Sequence, residues 1–321
     1  NIREGFHALF ALVKYRGSHR AAEIAQASIA FLLELWKPEN GWDWDRLGSE
    51  FGLRSSRDQT FITGIARAIG PLVKYYDATR YGPALELALI LASKATDEFF
   101  LPDGTYDPKK FGTHTHSTTC VMSSLAQLAD ITCDLSLIER VKTFYDNGLW
   151  KIRDEIGWVI ESSDDSSPPD RGECNNTGDI VETALILGRY GYPEYFQDAE
   201  RIIRGHLLPA QLRDNSFIPK PANPSSKDGL KDVSRRHLGA FGFPAPYGHR
   251  PLGLERISFN MDIVGGAVAS LCEVLRESAI AIERGLMVNM MFDRQSDFLH
   301  INILFGPINR QMPWVEIRRR I

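Results

Sequence analysis

The sequence predicts an all-α fold, an (α/α)6 toroid of helical hairpins with a few β-strands at its C-terminal end. Three observations predict it. Segment after segment repeats apolar residues at three- and four-residue spacing. The links between these segments alternate between short turns and long loops rich in Gly, Pro, Trp and Asp. Strand-like alternation is scarce until the end of the chain. Helices joined by short turns lie antiparallel, so alternating links build successive hairpins and gather every long loop at one end of the ring, ahead of the inner helices.

In chain order, the first clear helical run is "AAEIAQASIAFLLELW" (21–36), followed by the long link 37–58, which contains "NGWDWD". Runs 58–76 and 81–100 are joined by the turn "DATRYGP". The link 101–116 ends in "THTH" and opens the run 117–131, which turns near "DITCD" into 137–150. The link 160–179, "IESSDDSSPPDRGECNNTGD", opens "GDIVETALILGRYG", and "GRYGYPEY" turns back into "YFQDAERIIRGHLL". A loop of residues 214–260 precedes the last helix, 261–282. Runs 83–93 and 179–188 are apolar over more than one face, whereas 195–208 keeps a charged side; an inner and an outer ring of helices would produce that contrast. The count is about ten or eleven helices, which fits a toroid whose first hairpin is cut short. Residues 1–285 are assigned to the barrel and 286–321 to a strand extension, because "GLMVNMMFDRQSDFLHINILFG" and "MPWVEIRRRI" alternate apolar and polar residues. Two or three strands are not stable alone, so they are expected to pack on the barrel or to begin a β-sandwich.

Composition narrows the function. The 321 residues are 43% hydrophobic and 24% charged, ordinary for a folded soluble chain, and the formal charge of −4 comes with no basic run to bind nucleic acid. No apolar run reaches the roughly 18 residues of a membrane span. The four cysteines, Cys120, Cys133, Cys174 and Cys272, show neither a CxxC spacing nor a disulfide framework. These features leave compartment and oligomeric state open.

The segment "RGECNNTGDIVETALILGRYGYPEYFQDAERIIRGHLLPAQL" resembles the corresponding region of the β-L-arabinofuranosidase-like glycoside hydrolases, six-hairpin (α/α)6-barrel enzymes with appended β-sandwiches. Similarity extends to "GIARAIGPLVKYYDATRYGPALELALILASK", to "GTHTHSTTCVMSSLAQLAD" and to "IERGLMVNMMFDRQ", so that it spans about residues 58–295. The resemblance implies the barrel fold and a carbohydrate substrate. It would also imply a zinc site made of a Glu, a Cys two places later and an adjacent Cys pair. Here only Cys174 is retained: Gly172 stands in place of the Glu, and Phe259-Asn260 in place of the pair. One thiolate does not make a tetrahedral zinc site, so no metal and no cofactor are expected.

Without that machinery a glycosidase needs two carboxyl groups, one donating a proton and one acting as base or nucleophile. The expected catalytic residues are Glu173, Asp58, His116, Asp179 and Asp262, all at the long-link end. Glu173 is the expected acid/base, since partial burial at a barrel mouth raises a carboxyl pKa. Asp58, Asp179 and Asp262 also suit plain helix capping. His116 suits proton transfer, and His114 beside it lacks a visible third partner for a metal. Expected substrate contacts are Trp42, Trp44, His114, Asn176, Arg171, Tyr247, His249 and Asn260, with Phe241 and Phe243 as further loop aromatics that could cover a sugar face. Inward-pointing Arg57, Arg171, Arg250 or Arg256 would favour an acidic sugar. The expected partner is an oligosaccharide or polysaccharide, with no nucleic acid and no membrane. The expected activity is exo-acting glycoside hydrolysis; a polysaccharide lyase or unsaturated-uronyl hydrolase and a catalytically inactive glycan-binding barrel are the alternatives.

Overall fold

The computed structural model describes residues 2–54, 60–164, 172–216, 218, 220, 222–226, 231–241, 261–283, 285–295, 299–304 and 314–319. The helices are α1 (Ile2–Arg16), α2 (His19–Leu35), α3 (Trp44–Phe51), α4 (Ile69–Thr79), α5 (Gly82–Glu98), α6 (Pro108–Phe111), α7 (Thr115–Thr132), α8 (Leu135–Asp146), α9 (Cys174–Arg189), α10 (Glu194–Ile202), α11 (Val233–His237) and α12 (Met261–Glu277). Strands β1 (Trp36–Lys37) and β2 (Gly41–Trp42) form a small hairpin; β3 (Ala279–Ile282), β4 (Gly285–Val288), β5 (Arg294–Gln295), β6 (Leu299–Leu304) and β7 (Trp314–Arg319) follow the last helix.

Each hairpin is set by its turn chemistry. Between α1 and α2, Gly17 adopts a positive φ and Ser18 caps α2 by accepting from the Ala21 amide. Cys133 takes the left-handed position that ends α7, and Asp134 caps α8 through the Leu137 amide at 3.0 Å. Arg80 ends α4 in the same left-handed way, and after Tyr81 the helix α5 opens with Gly82 and Pro83.

Helices α1, α4, α7, α9 and α12 pack in succession as the inner ring, and α2, α5, α8 and α10 lie outside their hairpin partners. This is a toroid of α/α hairpins. The inner helices approach closely where the sequence has no Cβ: a methyl group at Gly70 of α4 would lie 2.6 Å from Ser124 Oγ, and one at Gly178 of α9 would lie 2.6 Å from Ser270 Oγ. Helix α7 is buried continuously from Thr115 to Ala126, whereas α10 buries Tyr195, Phe196, Ala199 and Ile202 on one side only. The expectation that 83–93 is covered on several faces fails for α5, which buries an Ala/Leu stripe and leaves Leu89 exposed. The run reads as apolar all round because Leu85, Leu89 and Ile90 lie outside the buried stripe of Ala84, Leu87, Ala88, Leu91 and Ala92.

Beneath the link into α7 lies a cluster of aromatic rings, Phe99, Phe100, Tyr106, Phe111 and Phe144. Phe100 and Phe144 meet edge to face at 4.6 Å, and Phe111 stacks on Phe144 at 5.7 Å. Fully burying such rings contributes about 1.5–3 kcal/mol each, and it anchors the loop that delivers the first residues of α7.

The strands begin at Ala279, earlier than the expected boundary at 286, since β3 pairs antiparallel with β4 from Ala279↔Val288 to Ile282↔Gly285. β5, β6 and β7 form an antiparallel sheet in that order. The segment between β4 and β5 docks on α10 and the turn that follows it: the Met291 amide donates to Glu200 Oε2 at 2.8 Å, and the Arg204 guanidinium covers the Phe292 ring at 4.4 Å.

Candidate active site at the N-terminal ends of the inner helices

The long links deliver the N-termini of α7 and α9 to the same place. His114 stands at the N-cap of α7, bridged antiparallel to Ser162, while Thr115 Oγ1 donates to the carbonyls of Ile160 and Glu161. The Ser163 amide donates to Thr113 O at 2.9 Å. The link that opens α9 is thereby stitched to the start of α7. Glu173 is the extended N-cap residue of α9, yet its side chain makes no capping bond to its own helix. It turns instead towards His116.

His116, 3% exposed, places Nδ1 2.7 Å from Glu173 Oε1 and Nε2 3.5 Å from Asp179 Oδ2. One imidazole therefore stands between two carboxyl groups. Thr119 Oγ1 lies 2.8 Å from both Asn176 Oδ1 and Asp179 Oδ2. A hydroxyl has a single proton and serves one of these acceptors; the set closes when Asp179 carries a proton and donates it to Thr119 Oγ1. His114 Nδ1 lies 2.8 Å from Ser117 Oγ, and the His114 and His116 rings meet edge to face at 5.8 Å.

The two carboxyls are displaced in opposite directions. Burial pushes Glu173 up, but the pull of His116, with His114 and Arg67 behind it, outweighs burial and holds the group below its ordinary value. This reverses the expected rise at Glu173. Asp179 is the raised group: burial drives it to about 6, against the attraction of His116 and Arg3. Burial, with His116 alongside, lowers His114 to about 4.

Asp179 also lines an axial cavity of about 360 Å³ enclosed by α1, α4, α7, α9 and α12. Deeper along the axis, Glu182 accepts from Ser123 and from Gln127 (2.9 Å) and faces Lys74 Nζ at 3.5 Å. Near the mouth, Arg3 and Arg67 both contact Glu4 Oε1 at 3.2 Å. Sequence reasoning missed Arg3, Arg67, Lys74, Glu182 and Glu273. The available signal was polar residues inside otherwise apolar runs, such as Glu182 in "IVETALIL".

Of the expected site residues, the structure brings together Glu173, His116, Asp179, His114 and Asn176. It sets Trp42 and Trp44 apart: their rings, 6.4 Å from each other, line a groove of about 850 Å³ along α1, α2 and α3 that shares no lining residue with the axial cavity. Asp58, Arg171, Tyr247, His249 and Asn260 lie outside the described residues, as do Arg57, Phe243, Arg250 and Arg256; Asp262 is described only as backbone in the first turn of α12. Phe241, 1% exposed, is packed into the core and offers no face to a sugar. It is loop anchorage of the ordinary kind.

The zinc ligand set implied by the resemblance does not fit. A Cβ at Gly172 would fall 2.2 Å from Val159 O and 2.5 Å from Trp158 Nε1, so no Glu side chain has room there. Burial, and then Glu173, push the Cys174 thiol up to about 12, which keeps it protonated rather than a thiolate ligand. No zinc chemistry through Cys174 follows.

No protein-family model matches the chain, and no curated protein does. Solved structures do resemble it. A D-mannose isomerase superposes with a TM-score of 0.57 at 12% identity, over 85% of this chain and 70% of that one. A β-L-arabinofuranosidase of glycoside hydrolase family 127 from Geobacillus stearothermophilus T6 gives 0.52 at 14% identity, over 99% of this chain and 52% of that one. A cellobiose 2-epimerase from Bacillus thermoamylovorans gives 0.50 at 15%, over 80% and 65%. The fold is the six-hairpin toroid. The chain spans about half the arabinofuranosidase and under two thirds of the epimerase.

Proposed function

We propose that this chain is a carbohydrate-active enzyme, a glycoside hydrolase that releases end units from oligosaccharides at the N-terminal mouth of its inner ring. The observation that carries this reading is the single buried imidazole held between Glu173 and Asp179, at the top of a cavity in which Asp179 forms part of the wall. A cavity of about 360 Å³ is at the small end of ligand pockets, a size suited to the end of a sugar chain rather than its middle. Asp179, protonated against Thr119, is the proton donor to the leaving oxygen; Glu173 with His116 is the base half, which draws a proton from the attacking water. The resemblance to β-L-arabinofuranosidase-like enzymes supports hydrolysis. A second reading is favoured by the position of His116 itself. As the one group shared by both carboxyls, the ring suits proton abstraction from a sugar carbon, the step of a lyase or an epimerase.

A glycan panel tests both readings, read for new reducing ends, for unsaturated uronate absorbance and for deuterium uptake from heavy water. His116→Asn and Asp179→Asn are each expected to lower kcat by about 10²–10⁴-fold on whichever substrate responds. Full activity in both variants would overturn the assignment of the site.

A further inference from the structure

We infer that His114, His116 and Glu173 form a three-ligand site for a divalent transition-metal ion. The inference rests on the proposed function only for the location of the site. One ligand atom from each of the three residues lies within 4.8 Å of the others, with His116 buried and His114 and Glu173 half-buried. Two histidines and a carboxylate with a position left open make up the donor set of catalytic zinc centres, where Zn–N is about 2.0–2.1 Å and Zn–O about 2.0–2.2 Å.

Three details point to a ligand rather than to an ion pair. His116 Nδ1 and Glu173 Oε1 lie 2.7 Å apart, and among the described residues Oε1 has no aligned hydrogen-bond partner, so the pair can open to admit an ion between the two atoms. The opposite ring nitrogen, Nε2, looks towards the carboxyl oxygen Asp179 Oδ2 at 3.5 Å, which is placed to accept from Nε2–H and so leave Nδ1 as the ligand atom. His114 is also held by a second group, through Nδ1 at 2.8 Å from Ser117 Oγ. The spacing of the ligands on two chain segments explains why sequence alone supplied only a histidine pair: Glu173 joins them across the stitched links of α7 and α9. The site is distinct from a Cys174 thiolate centre, which the geometry rejects. A proton shared by His116 and Glu173 and a metal ion bound by both are alternative occupants. An ion held by His114, His116 and Glu173 would supply the base half of the site by lowering the pKa of a bound water to about 7, and Asp179 would keep the acid role.

The test uses the whole chain, dialysed against EDTA and titrated with ZnCl₂ by calorimetry and with CoCl₂ by visible absorption. One equivalent per chain, with the intense bands of four- or five-coordinate cobalt, is expected. Glu173→Gln, which preserves shape, is expected to abolish binding while circular dichroism stays unchanged. Asp179→Asn is expected to weaken binding about 10–100-fold. Less than stoichiometric uptake, or uptake unchanged by Glu173→Gln, would overturn the site. Glycan turnover by a protein that takes up no metal would overturn the site while leaving the proposed function standing; one bound zinc in a protein that turns over no glycan would uphold the site and count against that function.

Discussion

Two clusters of titratable groups sit on the same inner helices, a short way apart along the axis, and they are satisfied to different degrees. In the deeper cluster both Glu182 oxygens have partners: Oε1 faces Lys74, and Oε2 accepts from Ser123 and Gln127. Among the described residues, Glu173 Oε1, His116 Nε2 and Asn176 Nδ2 of the mouth cluster are buried without an aligned hydrogen bond, against Gln127 Oε1 alone among the groups around Glu182. A satisfied buried network holds elements in register, whereas an unsatisfied one costs stability and persists where something else completes it. The deeper cluster therefore reads as ring architecture, and the mouth cluster as a place for substrate or ion.

The strongest way to break this comparison is to neutralise one acid from each cluster. Glu173→Gln at the mouth is expected to cost about 10²–10⁴-fold in kcat, with a smaller loss of stability than the deeper variant, since burial of the Glu173 carboxylate opposes the attraction of His116 that the substitution removes. Glu182→Gln in the deeper cluster is expected to do the reverse. It strips Lys74 of its nearest counter-charge; because the Lys74 side chain is a third exposed to the cavity, the loss is set below that of a fully buried pair, at about 1–3 kcal/mol. Denaturant midpoints measured beside turnover separate the two. A mouth variant that unfolds easily but keeps its turnover would merge the clusters into one structural class.

A smaller effect sharpens the contrast through pH. Burial, followed by repulsion from Glu182, raises Glu273 to about 7, well above its ordinary value. The folded state then binds a proton that the unfolded chain releases near pH 4.5, so the stability linked to this group is fully present below that pH and is lost as pH rises through 7. Unfolding free energy is expected to fall by about 1–2 kcal/mol between pH 5 and 8 on account of Glu273, and Glu273→Gln is expected to reduce the measured fall to the part left by Asp179, itself raised to about 6. A slope unchanged in the variant would mean that the proton is held elsewhere.

The fold was legible in the sequence because hairpin turns and helical periodicity are local: "DATRYGP" and "GRYGYPEY" each decide a turn by their own residues. Half of the site was legible for the same reason, since Glu173, Asp179, His114 and His116 mark two helix starts. What could not be read was polarity in the third dimension. Whether Glu182 and Glu273 are solvent-facing or axial depends on which way an inner helix is rotated in the ring, and their runs are apolar around nearly the whole circumference. The direction of the Glu173 shift was missed because burial and His116 oppose each other there, and only the 2.7 Å contact decides between them.

The smallest predicted effect concerns the loop tryptophans. Aromatic residues on a loop before an inner helix suggest a sugar platform, yet Trp44 lies at the first turn of α3, 38% exposed, over a groove separate from the axial cavity. If hydrolysis removes one end unit in the axial cavity, a disaccharide does not reach that groove. Trp44→Ala is then expected to change kcat/KM on a disaccharide by less than about 2-fold, because a contact absent from the transition state contributes nothing to it. A larger loss confined to KM on longer oligosaccharides would extend the site to the groove through uniform binding. A loss in kcat on the disaccharide itself would instead place Trp44 beside the reacting bond and move the centre of the site away from His116.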